Sequence, residues 1–307
     1  MKNPQKIPEE ASYGVIFRIN TDGADYTNLY SFSYFGNCGG CLDEGKSPYG
    51  SLVLNGARLY GMTYGGGTSN SGTVFNINTN GAGFANLHSF GVGSDGAYPY
   101  GSIAFGSSNL FGMTYQGGAF FNSGILFKLG TDGSSYTNLH GFAAGSNDGA
   151  SPMGSLVLSG AKLYGMTRGG GSSYSDGMVF QISSDGSGYT NLHIFYGGSF
   201  DGARPNDSLI LSGTTLYGMT TGGGASGVGT VFSLALPQPP RLTAIRSAAN
   251  IILMWPTNAA GFTLQFTTNL LSQAVWNTNV PSPIVVNGRN AVTNPISGTL
   301  GFFRLSQ

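Results

Sequence analysis

The apolar positions fall in short runs, set apart by Gly, Asn, Asp and Ser, and one order of runs returns along most of the chain. Ser51–Leu54 is an apolar run followed by the turn pair Asn55-Gly56. Leu59–Thr63 is a second run, and the glycine-rich stretch 65–71 follows it. Residues 73–77 form a third, Asn80-Gly81 turns the chain, and 84–90 form a fourth. These runs predict four strands, a to d. The strands are apolar on both sides: Phe75 and Ile77 oppose Val74 in c, and Tyr60 and Met62 oppose Leu59 in b. A sheet with two apolar faces must be covered on both, which predicts sheets stacked face to face. Gly61, inside b, is expected to admit a neighbouring backbone.

The same phrases recur in register. Leu-Tyr-Gly-Met-Thr at 59–63 returns, with Phe111 for Tyr, at 110–114, and again at 163–167 and 216–220. Gly-x-x-Phe starts at Gly14, Gly72, Gly124, Gly177 and Gly229. A period of about fifty residues with four strands marks a repeat architecture and fits a propeller blade. The predicted fold is all-β: a β-propeller of four blades, with five as the alternative, followed by a small β-sandwich. Blades are expected at 51–90, 102–142, 155–195 and 208–234, the last without d; residues 26–32 are expected to complete it. A disordered segment is expected at 1–12, the repeats at 13–236, and a stiff Pro-rich linker at 237–240. In the tail, 241–307, strand-like runs include 251–255, 262–268, 275–280, 284–287 and 302–305.

Composition narrows the function. Charged residues make up 8% of the 307, and 13 Lys plus Arg balance 13 Asp plus Glu. Nucleic-acid binding driven by phosphate neutralisation is thereby disfavoured. No apolar window is long enough for a membrane span. Residues 1–11 are polar and lack the apolar core of a signal peptide. That leaves a cytosolic protein or a truncated start, and the neutral Ser/Thr/Asn/Gly surface points to an extracellular or cell-surface protein.

The order Leu-Tyr-Gly-Met-Thr, glycine run, Gly-Thr-Val-Phe-x-Ile, then Asp-Gly-x-x-Tyr-Thr-Asn-Leu-His-x-Phe resembles the GloVer tandem repeat over residues 14–234. That resemblance implies a bacterial surface protein, with no catalytic residues to carry over. The blade grammar is also similar to kelch repeats, with Phe90, Phe142 and Phe195 in strand d. Gln265-x-Thr267-Thr268-Asn269-Leu270, Trp276 and Phe302-Phe303-Arg304-Leu305 resemble the immunoglobulin- or fibronectin-like modules of bacterial exported proteins, which space or attach.

Candidate chemistry is sparse. His88, His140 and His193 suggest a three-histidine metal set, but equivalent places in successive blades lie apart, so a structural role is expected. Asp95, Asp148 and Asp201 recur before Gly, as do Asp22, Asp132 and Asp185, which reads as turn chemistry. Cys38 and Cys41 have no second pair for zinc and are expected to form a local disulfide at most. Neither a P-loop nor a Gly-x-Ser-x-Gly elbow is present. No cofactor and no metal are expected.

The loops that differ between repeats are those after strand b and those from d to a, which share one face. They carry Tyr64, Tyr115, Arg168, Tyr98, Tyr100, Phe120, Phe121, Tyr174 and Arg204. Aromatic platforms with neutral donors suit a glycan, so the expected function is non-catalytic binding of a neutral ligand such as a polysaccharide, or of a surface protein, by a monomer. The alternatives are a secreted carbohydrate-active enzyme or a purely structural or adhesive surface protein.

Overall fold

The computed structural model describes residues 12–33, 44–91, 93–118, 122–145, 147–172, 176–237, 240–257, 262–270, 274–278, 280–296 and 301–306. All regular structure in them is β. No helix in them is long and apolar enough to cross a membrane. The chain divides into two compact units, Met1–Leu236 and Pro237–Gln307.

In the first unit three repeats each form a four-stranded antiparallel meander, a-b-c-d. The first repeat uses Val53–Asn55, Arg58–Thr63, Thr73–Asn78 and Ala85–Ser89. The second uses Ala104–Gly106, Asn109–Thr114, Ile125–Gly130 and Thr137–Gly141. The third uses Val157–Ser159, Lys162–Thr167, Met178–Ser183 and Thr190–Ile194. A fourth has a, b and c alone, at Ile210–Ser212, Thr215–Thr220 and Thr230–Ala235.

Ser12–Arg18 and Thr27–Ser33 form a hairpin equivalent to c and d. The expectation that residues 26–32 complete the last sheet is not met, because they pair with 12–18. Burial decides this: Ile16 and Phe32 of the hairpin are sequestered against Phe75 and Ile77 of the first repeat. The segment expected to be disordered lies outside the described residues except for Ser12, which opens the first strand.

The two apolar faces of the sheets of the first three repeats pack as the alternation requires. One face presents Tyr60, Met62, Val74 and Phe90, which bury against Leu110, Ile125, Phe127 and Leu129 of the next repeat. The same contact recurs from second to third and from third to fourth. At each junction two Phe rings meet edge to face: Phe32 with Phe75 at 5.5 Å, Phe90 with Phe127 at 5.3 Å, Phe142 with Phe180 at 5.5 Å and Phe195 with Phe232 at 5.3 Å. Such pairs add to the area term. Gly61 has a different role from the one expected: a Cβ there would stand 2.5 Å from the Phe75 ring of its own sheet, so it houses a side chain, not a backbone. Gly112, Gly165 and Gly218 do the same for Phe127, Phe180 and Phe232.

Successive backbones come closest just before strand a. The Ser51 amide donates to Ser102 Oγ (2.7 Å), Ser102 to Ser155 Oγ (2.8 Å), and Ser155 to Ser208 Oγ (2.9 Å). The preceding residues are Gly50, Gly101 and Gly154, where a Cβ would lie 2.1–2.3 Å from the next repeat's carbonyl oxygen. Gly101→Ala is therefore expected to destabilise by about 1–3 kcal/mol through overpacking, read from the urea midpoint. Gly141→Ala, with nothing within 4 Å of the new Cβ, is the control and should leave the midpoint unchanged or slightly raised.

The second unit has two sheets. Thr243–Ser247, Asn250–Pro256, Arg289–Pro295 and Ile284–Val286 form one, and Thr263–Thr267 with Phe302–Ser306 the other. Leu253, Trp255, Leu264 and Val292 are buried together as its core. Of the run expected at 275–280, Asn277 makes an isolated bridge to Phe266. Gln238 and Pro239 of the expected linker lie outside the described residues.

Candidate functional site

Four copies of one backbone network build the variable face. Ser47, Tyr98, Ser151 and Arg204 each precede a proline and each adopt positive φ, between 54° and 60°. Their amides donate to carbonyl oxygens of the preceding unit: Ser47 to Tyr13 (2.8 Å), Tyr98 to Ser71, Ser151 to Ser123 and Arg204 to Asp176 (each 2.7 Å). Their carbonyls accept from the residues after strand b: Tyr64 (3.0 Å), Tyr115 (3.1 Å), Arg168 (3.3 Å) and Thr221 (3.3 Å). The network is invariant while the side chains it displays change.

In the first two repeats three of the four, Tyr64, Tyr98 and Tyr115, are tyrosines, and they converge with Tyr100. Tyr64 lies 5.0 Å from Tyr98 and 4.8 Å from Tyr100; Tyr100 is 5.5 Å from Tyr115. Tyr49 stacks on Tyr100 at 5.4 Å, nearly parallel, and stays largely exposed. Tyr49 was not among the expected residues; its place after Pro48, matching Tyr100 after Pro99, is the signal that marks it. Burial, and then the hydrogen bond with Tyr100, push the Tyr64 hydroxyl up to about 12. It remains a neutral phenol in neutral solution.

Two of the tyrosines, Tyr49 and Tyr100, border an open hollow of about 290 Å³ lined also by Met153, Asn206, Asp207 and the Gly-Ser steps before strand a. Arg168 and Arg204 stand on the same framework in the third and fourth repeats. Phe120, Phe121, Tyr174, Cys38 and Cys41 lie outside the described residues.

The three histidines do not converge. Each Nε2 pairs with an aspartate of its own d–a loop: His88 with Asp95 (3.0 Å), His140 with Asp148 (2.9 Å) and His193 with Asp201 (3.1 Å). Two of the rings stack on a tyrosine of the next repeat, His88 on Tyr136 at 4.0 Å and His140 on Tyr189 at 3.9 Å. Tyr136 Oη donates to the Asp95 carbonyl (2.6 Å), and Asn191 Nδ2 to the Asn147 carbonyl (2.9 Å). The Tyr-Thr-Asn-Leu-His phrase is thus a clasp between sheets. At the first junction Tyr30 takes the place of His and stacks on Phe84 at 4.1 Å, and Glu44 stands at the aspartate's place in the sequence. Asp95, Asp148 and Asp201 are therefore His partners and loop caps, more than the turn residues expected. Asp132 and Asp185 do make turns, accepting from Ser134 and Ser187. Among the described residues no group of three or more His, Cys, Asp or Glu is placed to hold a metal.

Sequence comparison assigns the family. The sequence profile of the Gloeobacter/Verrucomicrobia repeat matches residues 9–175 and 145–250. The chain belongs to this repeat family. The Gloeobacter/Verrucomicrobia repeat thus spans the whole sheet stack, and its recurring phrases are the clasp, the Phe pairs and the glycine-housed rings. No curated protein matches the chain. Among solved structures it is similar to a chain of the nidogen/laminin complex (TM-score 0.46, 14% identity, 80% of this chain and 83% of that one). It is similar to TolB from Acinetobacter baumannii (0.42, 11%, 80% and 57%). It is also similar to oligogalacturonate lyase in complex with manganese (0.45, 11%, 73% and 54%). None of these similarities transfers a residue or an activity.

Proposed function

We propose that this protein is a non-catalytic, surface-exposed bacterial repeat protein whose stacked sheets are blades of a propeller-type arc, and that its tyrosine cluster binds a neutral glycan. The observation that carries this reading is the convergence of Tyr49, Tyr64, Tyr98, Tyr100 and Tyr115 beside a polar hollow. Packing alone does not require five tyrosines on the face where the repeats differ. Flat rings take the C–H face of a sugar, and neutral phenols, Ser hydroxyls and Asn206 offer hydrogen bonds. Asp207 is the sole carboxylate among the described residues lining the hollow. Glycoside hydrolysis ordinarily needs two, about 5–9 Å apart, so binding is favoured over catalysis. The two-sheet unit at the C-terminal end serves as spacer or attachment module in this reading.

The test is a panel of immobilised neutral glycans probed with the full chain. A hit is expected to weaken at least tenfold, about 1.4 kcal/mol, in Tyr64→Ala and in Tyr115→Ala, with the β-sheet circular dichroism unchanged. Absence of binding across the panel by the folded protein rejects the glycan reading.

A further inference from the structure

We propose that the two end faces of the repeat stack are the two halves of one docking site, and that a second copy of this chain fills it head to tail. The reasoning starts from the contact that already recurs inside the chain. On one side of that contact stand Tyr60, Met62 and Val74, replaced by Phe111, Met113 and Leu126 in the second repeat and by Tyr164, Met166 and Val179 in the third; all are buried against the next sheet. The fourth repeat keeps the same residues, Tyr217, Met219 and Val231. Val231 is 80% exposed where Val74 is 0%, and Met219 is 50% exposed where Met62 is 3%. The opposite side of the contact is made by Phe75 and Ile77, Phe127 and Leu129, and Phe180 and Ile182, all fully buried. The N-terminal hairpin keeps these too, as Phe17 and Ile19, and they are 52% and 48% exposed.

Among the described residues the stack therefore presents an uncovered donor face on one side and the matching acceptor face on the other. Repeat arrays ordinarily close their ends with polar surfaces, and contiguous exposed apolar patches mark interaction sites. The inner edge supports the same pairing. Gly50, Gly101 and Gly154 are glycines because the backbone just before the next repeat's strand a stands against them, whereas the fourth repeat has Asp207 there. A Cβ at that place forbids the usual approach of another repeat's backbone before its strand a. Among the described residues the hairpin has strands c and d only, so nothing described in it would stand opposite Asp207. In keeping with this, the Ser208 amide takes Asp207 Oδ1 (2.7 Å) instead of a serine of a following repeat.

Among the described residues the docked contact lacks strand d of the fourth repeat and strands a and b of the hairpin. It is smaller than the internal junctions, so association is concentration-dependent. Because the two surfaces differ, the contact is heterologous and can propagate into rings or chains. This differs from the monomer that the sequence suggests, and it involves a surface other than the tyrosine cluster.

Sedimentation velocity of the full chain over a wide concentration range tests it. The expected result is a mass that rises with concentration. Val231→Glu and Phe17→Glu should each abolish that rise, because each removes one face from every copy. An equimolar mixture of the two variants should then form a two-copy species that grows no further, since one intact face remains on each. Met219→Lys with Ile19→Lys repeats the test should either glutamate variant lose its β-sheet circular dichroism. A monomer at every concentration overturns the proposal. Association that survives the single variants, or is not restored on mixing, overturns the assignment of these faces.

Discussion

Phe127→Ala is expected to cost about 3–5 kcal/mol of stability, the range for emptying a buried Phe site. Phe127 is fully buried and sits at the centre of a junction. It meets Phe90 of the preceding sheet edge to face, stacks on Tyr136 of its own, and covers Gly112, where a Cβ would lie 2.6 Å from its ring. The neighbours that would have to move to fill the hole are strands held in register on both sides, so relaxation is limited and the cavity persists. The same substitution at Phe17, the equivalent ring of the hairpin, removes a half-exposed side chain. It should change monomer stability by less than about 1 kcal/mol. The pair separates burial from residue identity, because both rings sit at the same place in the repeat. Urea melts at low protein concentration read both values. A Phe127→Ala variant within 1 kcal/mol of the parent would mean that the sheets are not coupled through these rings.

Much of this arrangement was legible in the recurring phrases. Strands a to d of the first three repeats fall where the apolar runs place them, and the double-sided alternation announced sheets covered on both faces. What escaped was whatever one repeat supplies to the next. His88 and Tyr136 meet across a junction, and no spacing within one repeat reveals which neighbour a strand d histidine touches. The Ser51, Ser102 and Ser155 amides are joined over a full repeat length in the same way. Gly61 suggests a backbone approach by sequence because a glycine's sequence context does not say which atom fills the space. The tyrosine face was more accessible. Tyr64, Tyr98, Tyr100 and Tyr115 stood out because they break the repetition, and the framework that gathers them is itself repeated. Residues 26–32 suit either end of the stack by pattern, and burial of Ile16 and Phe32 against the first repeat decides between them.

The clasp predicts an acid sensitivity with a definite sign. Burial pushes the Asp95 and Asp148 carboxyls up, but the hydrogen bonds from His88 and His140 and from the loop amides outweigh it, and both end below the ordinary aspartate value of 3.8. A folded-state value below the unfolded one means that the folded protein binds fewer protons in that range. The stability these groups contribute is complete above the ordinary aspartate range and is lost as pH falls through it towards their depressed values. Asp148 also accepts from the Ala143 amide at 2.9 Å, so it holds the loop as well as the histidine. Asp148→Ala leaves His140 and that amide without their acceptor and should cost about 1–3 kcal/mol near neutral pH. Asp132 is depressed too, by its Ser134 hydrogen bonds, but it is fully exposed and water screens it. Urea midpoints measured from about pH 7 down to about pH 3 should fall steeply in the parent below about pH 4. They should fall less in Asp95→Asn with Asp148→Asn, and as steeply as the parent in Asp132→Asn. Equal slopes in the parent and the double variant would show that the junctions are held by their apolar rings alone and that the histidine–aspartate pairs add no measurable free energy.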